Sequence, residues 1–156
     1  AKRERELRDT LWELLAVGVP GIKLNGHPTE RLPNTLNVSF PGILGRTVLE
    51  SAQEIAASTG SACHEGVDTP SGVLTAMGID DAMALGAVRL SIGRGTTKAQ
   101  IEIAAKPLIT AWRGIVPHGY PPVKMRLPFG SWGYTRIYAR GAHSLARSPS
   151  AKYGRR

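Results

Sequence analysis

Thr35-Leu36-Asn37-Val38-Ser39-Phe40 alternates strictly, with Leu36, Val38 and Phe40 on one side and Asn37 and Ser39 on the other. Side chains on an extended chain point to opposite faces in turn, so this is a strand with one buried face, ended by Pro41 and Gly42. Val88-Arg89-Leu90-Ser91-Ile92 repeats the pattern and turns Arg89 and Ser91 away from the side that buries Val88, Leu90 and Ile92. Arg89 is thus predicted to stand on a rigid strand and face a ligand.

Outward from these strands the period becomes helical. Leu7, Leu11, Leu14 and Leu15 fall on one face of a helix over residues 2–16, closed by Gly18 and Pro20. Leu44, Val48, Leu49 and Ala52 predict a second helix, leading into a strand over 55–59. Ser71 is placed to cap a short helix carrying Val73, Leu74 and Met77 and stopped by Gly78, and Asp80 or Asp81 to cap another turn. Thr97-Lys98-Ala99-Gln100 has capping-box spacing and opens a last helix through Ile101, Ala105, Leu108 and Trp112, which Pro107 is expected to kink or end early. The order implies an α+β fold, a small and mainly antiparallel sheet covered by helices.

The net charge of +8 is unevenly placed: residues 1–115 hold 12 basic and 12 acidic residues, whereas 116–156 hold eight basic and none acidic. Five prolines and no sustained period in that tail predict a disordered or loosely attached extension. Tyr120, Trp132, Tyr134 and Tyr138 interleave with Arg126, Arg136 and Arg140, but without a nucleic-acid motif only nonspecific polyanion contact is expected. No stretch is long or apolar enough to cross a membrane. The charged start, Ala1 to Glu6, has no apolar signal segment behind it, so a cytoplasmic, reducing location is expected.

Cys63 is the only cysteine, within Ser58-Thr59-Gly60-Ser61-Ala62-Cys63-His64-Glu65-Gly66. It either fills space as a small buried hydrophobe or reacts. The small and polar neighbours describe an exposed loop and favour a mobile nucleophile over a packed thiol. His64 could assist, although adjacent side chains on an extended segment point apart. Papain-type chemistry needs a distant histidine, and nothing around His27, the one such candidate within the charge-balanced residues 1–115, supports the pairing. One cysteine and four scattered histidines give no metal cluster. Arg89 can grip a carboxylate through two parallel hydrogen bonds, and Arg94 is expected to pair with an acidic residue at the sheet edge.

Four ordered segments carry a resemblance: Arg31-Leu32-Pro33-Asn34-Thr35-Leu36-Asn37-Val38-Ser39-Phe40, Ser58 to His64, Pro70-Ser71-Gly72-Val73-Leu74-Thr75-Ala76-Met77-Gly78, and Arg89 to Thr97. Over about residues 1–113 the chain resembles the C-terminal part of the cysteine desulfurases, pyridoxal phosphate enzymes of the class V aminotransferase group and fold type I. Selenocysteine lyases share the pattern. The resemblance implies removal of sulfur from L-cysteine to give L-alanine and a persulfide on Cys63. It implies Arg89 as the group that binds the substrate carboxylate, with Asn34 nearby. The form of the cysteine segment resembles the branch with a longer mobile loop that passes persulfide to scaffold and thiolation partners, in iron-sulfur cluster assembly among other pathways. It also implies a homodimer for the complete enzyme.

The chain departs from the family in lacking the Ser-x-His-Lys element that holds the cofactor: no histidine precedes Lys2, Lys23, Lys98, Lys106, Lys124 or Lys152. The expectation is a small domain over 1–115 with its cysteine loop at 60–70, belonging to a truncated enzyme and unable alone to hold the cofactor or turn over. The tail over 116–156 lies outside the family pattern, as a shifted reading frame would produce. The alternatives are a selenocysteine lyase piece or a noncatalytic module that accepts sulfur or binds polyanions.

Overall fold

The computed structural model describes residues 1–59, 69–116, 124–126 and 132–134. The chain divides into two units, Ala1–Val123 and Lys124–Arg156. In the first, helix α1 (Lys2–Gly18) leads to strand β1 (Lys23–Leu24), strand β2 (Thr35–Ser39), helix α2 (Gly45–Ser51), short helices α3 (Gly72–Ala76) and α4 (Asp81–Leu85), strand β3 (Ala87–Ser91) and helix α5 (Lys98–Ile115). The three strands form one antiparallel sheet in the order β1-β2-β3, as the α+β expectation required.

Register follows from the alternation. Leu36 pairs with Leu90 and Val38 with Val88, all buried, so both strands present the same parity to one core. Leu7, Leu11 and Leu15 of α1, Val48 of α2, and Ile101, Leu108 and Trp112 of α5 close over that face. Each such side chain contributes on the order of 1.5–3 kcal/mol relative to exposure. Helices α1 and α5 pack tightly because residue 18 is glycine; a Cβ there would run into Ile109. Two long-range bonds fix the end of α5: Trp112 Nε1 donates to the carbonyl of Pro41 at 2.9 Å, and Arg113 Nε to that of Gly18 at 3.2 Å. The turn after β2 uses Gly42 at φ 70, a conformation that costs glycine least.

Several elements differ from the sequence expectation. Residues 55–59 form no strand; Ser58 alone bridges to Arg89. Strand β1 was not foreseen. Ser39 is fully buried although it lies on the face opposite the core, because Ala87, its register partner, packs with Leu74 of α3 and Ala84 of α4 over that end of the sheet. Ser71 occupies the N-cap of α3 without a side-chain bond, and Val73 and Met77 are exposed; Leu74 is the residue this helix buries. Asp80, rather than Asp81, caps α4 by accepting from the backbone N–H of Met83 at 3.0 Å. The capping box at Thr97 and Gln100 is present. Pro107 does not end α5, which runs on to Ile115. Burial of Ala105, Leu108, Ala111 and Trp112 on both sides of the proline outweighs its missing donor, a defect of about 3 kcal/mol in a helix without such support.

The second unit contains strand β4 (Lys124–Arg126) paired antiparallel with strand β5 (Trp132–Tyr134), with Met125 opposite Gly133. The other residues singled out in the tail, including Tyr120, Arg136, Tyr138 and Arg140, lie outside the described residues.

Candidate functional site

Strand β3 holds Arg89 as the sequence predicts. Val88 and Leu90 are buried while Arg89 and Ser91 are exposed. The Arg89 guanidinium makes no hydrogen bond or ion pair with any of the described residues. Its backbone is held firmly. Arg89 N–H donates to the Ser58 carbonyl at 2.7 Å, and Ser58 N–H to the Arg89 carbonyl at 3.2 Å.

Those bonds determine how Arg89 meets the next strand. Its N–H and C=O both point toward Ser58, so its pairing with Asn37 on β2 is of the non-hydrogen-bonded kind, in which facing side chains come closest. Asn37 turns its own carbonyl the other way, accepting from the Asn25 N–H at 2.9 Å. Asn25, buried at the end of β1, also donates through Nδ2 to Asn37 Oδ1 and to Ser39 Oγ, both at 2.8 Å. The outer face of the sheet therefore carries Asn25, Asn37 and Arg89 in a row across three segments. Sequence reasoning missed Asn25 and passed over Asn37. Alternation alone placed Asn37 on the outward side, but only the register puts it opposite Arg89.

Asn34 is placed differently. Its carbonyl accepts from Ile92 N–H at 2.8 Å, and the alternation counts it with Leu36 and Val38 rather than with Arg89. Asn34 sits in the turn immediately before β2. Cys63 and His64, with residues 60–68 of the cysteine loop, lie outside the described residues.

His27 serves its turn: Nδ1 accepts from the backbone N–H of Glu30 at 2.8 Å and of Thr29 at 3.3 Å. Arg94 makes no ion pair among the described residues; its carbonyl and that of Thr96 accept from the Arg3 guanidinium. The acidic group near the Arg94 charge is Glu4, whose carboxyl is held below the usual carboxylate range by the N-terminal ammonium first and by Arg94 to a smaller extent. The described residues hold no group of three metal-ligating side chains. No helix among them is long and apolar enough to cross a membrane.

Two further basic residues sit near the Leu32-Pro33-Asn34 segment. Arg8, almost completely buried, donates through Nε and Nη2 to Asp9 Oδ1 at 2.9 and 2.7 Å, and through Nη1 to the Leu32 carbonyl at 2.8 Å. Arg31 Nη2 approaches the same Asp9 oxygen at 3.5 Å, and its buried Nε and Nη1 have no partner among the described residues. Burial and the neighbouring Arg8 draw the Arg31 pKa below the usual arginine value, against a smaller pull upward from Asp9.

A cleft of about 610 Å³ lies beside β1, lined among others by Lys23, Asn25, His27, Met77, Asp80 and Met83. It does not include Arg89. Lys23 is the one lysine lining this cleft; Asp80 adds a carboxylate where an anion would need donors, and the ring present, His27, already spends Nδ1 on its own turn. A phosphorylated pyridine aldehyde needs an amine, an anion cradle and a ring contact together, so these residues do not fit pyridoxal phosphate.

Residues 1–103 match the family described as aminotransferase class V. The chain is 41% identical over 121 residues to cysteine desulfurase 2 of Trichormus variabilis, covering 74% of this chain and 30% of that protein. It is 42% identical over 101 residues to cysteine desulfurase IscS of Acinetobacter baumannii, covering 65% of this chain and 25% of the relative. Among solved structures it is similar to a NifS-like protein, with a TM-score of 0.59 and 27% identity over 72% of this chain and 28% of that one. A NifS-like protein from Rickettsia africae shares the fold at the same TM-score of 0.59 with 22% identity, over 70% of this chain and 28% of that one. The chain thus spans between 25% and 30% of the length of these relatives.

Proposed function

The chain belongs to the class V aminotransferase family, and from that premise we propose that it is the sulfur-accepting, carboxylate-binding part of a cysteine desulfurase. The carrying observation is Arg89: an exposed guanidinium on a sheet strand, anchored through its backbone to Ser58, with no described partner of its own. Relatives named cysteine desulfurase at 41–42% identity support the reading.

Arg89 binds the substrate carboxylate through its two-pronged edge and so orients L-cysteine. Cys63 takes the sulfur. Its thiolate attacks the substrate sulfur, a sulfur–sulfur bond forms as the substrate carbon–sulfur bond breaks, and the electron pair left on carbon is protonated to give L-alanine. The persulfide on Cys63 then passes to an acceptor or scaffold protein. Pyridoxal phosphate serves the complete enzyme as electron sink, held by residues other than those described here. Iron-sulfur cluster assembly is the proposed destination of that sulfur.

Cys63→Ser in the complete enzyme is expected to abolish alanine production from L-cysteine, a loss of at least a thousandfold, while equilibrium binding of L-cysteine is kept. Unchanged alanine production would overturn the assignment. Paired turnover of L-cysteine and L-selenocysteine separates this reading from the lyase, which releases alanine only from the selenium substrate.

A further inference from the structure

The hydrogen bonds beneath Arg89 assign a direction to a neighbouring amide. Both Asn25 Nδ2 bonds are donated, one to Asn37 Oδ1 and one to Ser39 Oγ, while Asn25 Oδ1 accepts from the Ser39 hydroxyl at 3.2 Å. Asn25 is buried, so this set is shielded from exchange with water. In this arrangement Asn37 presents its oxygen to Asn25. What remains on the half-buried Asn37 side chain is Nδ2, a donor, and it bonds none of the described residues.

Arg89 carries donors only. It stands directly opposite Asn37 at the closest cross-strand spacing, with its guanidinium likewise bonded to none of the described residues. Two adjacent unpaired donors match an acceptor anion and disfavour an amine or a second cation. We propose that Asn37 Nδ2 is a second donor to the carboxylate held by Arg89, and that Asn25 is the positioning residue that fixes its polarity. The inference rests on the reading of Arg89 given above. It adds to that reading a specificity element reaching from β1 across the sheet: a planar carboxylate spanning two strands is accepted, and a substrate with a neutral or donor group there is refused.

The test is a set of isosteric variants in the complete enzyme. Asn37→Asp keeps an acceptor for Asn25 but replaces the outward donor with a carboxylate oxygen. KM for L-cysteine is expected to rise about a hundredfold, with kcat within a few-fold of the parent. Asn37→Ala, which removes the donor without adding charge, is expected to raise KM roughly tenfold. Asn25→Asp turns the internal donor into an acceptor, so Asn37 must rotate and show its oxygen; KM rises again, but the same change adds nothing in an Asn37→Ala background. Equilibrium affinity for L-alanine, which carries the carboxylate without the reacting sulfur, should fall in parallel, and far-ultraviolet circular dichroism reports that each variant is folded. If Arg89→Gln leaves KM and alanine affinity unchanged, the carboxylate reading itself fails. If Arg89→Gln raises KM while folded Asn37→Asp and Asn37→Ala do not, the reading stands and this inference is wrong. If Asn25→Asp acts equally with and without Asn37, its positioning role is overturned.

Discussion

Arg8 and Arg89 are the same residue in opposite circumstances. Arg8 is sealed under the loop before β2 with Nε, Nη1 and Nη2 all bonded to Asp9 or Leu32. Arg89 is exposed, its backbone doubly tied to Ser58 and its side chain bonded to no described residue. One arginine uses its charge to hold loop and helix together; the other keeps its charge available on a fixed support. Partner satisfaction, more than residue type or location, separates the structural arginine from the one proposed to bind substrate.

The sharpest way to break that comparison is Arg89→Lys in the complete enzyme. Lysine retains the charge but loses the fork, and kcat/KM for L-cysteine is expected to fall by about a hundredfold with little change in melting temperature. An equal loss of stability would make Arg89 a structural residue like Arg8. Arg8→Met should behave inversely. It removes charge-assisted bonds and leaves the Leu32 carbonyl without a donor, at about 2–3 kcal/mol measured by urea denaturation, with KM unchanged in the active enzyme. The smallest effect is expected for Asp9→Asn. Asp9 is 45% exposed, so solvent already screens its pairs with Arg8 and Arg31, and about 1 kcal/mol of stability is expected to be lost. A much larger loss would mean that Arg31, with two unpartnered buried nitrogens, depends on Asp9 far more than the 3.5 Å separation suggests.

The sheet and the outward position of Arg89 were legible because both depend on a period of two. Leu36, Val38, Val88 and Leu90 announce the buried face, and Arg89 is outward by the same count. Helix α1 was legible from its leucines, yet Arg8 was not, since a charged residue next to Leu7 reads as solvated until the Leu32 carbonyl and Asp9 are brought to it. Strand β1 has two residues and no pattern of its own; it exists because β2 offers it an edge. The burial of Ser39 and the Asn25–Asn37 pair are likewise products of what packs or pairs across the sheet, which a linear sequence does not display. The run at 55–59 failed as a strand for the complementary reason. Its apolar content suited a strand, but Ser58 alone meets β3. Pro107 shows packing overriding a local rule that is sound for an unsupported helix.

The clasp between the two long helices has a consequence for synthesis. The Gly18 carbonyl receives its bond from Arg113, 95 positions later, and the leucine stripe of α1 is not fully covered until α5 is present. At translation rates of roughly 5–20 residues per second, that stripe waits on the order of 5–20 s for its partner as the chain is made. During this interval the nascent helix is a hydrophobic target for chaperones, and premature release upstream of α5 would leave it a target for proteolysis.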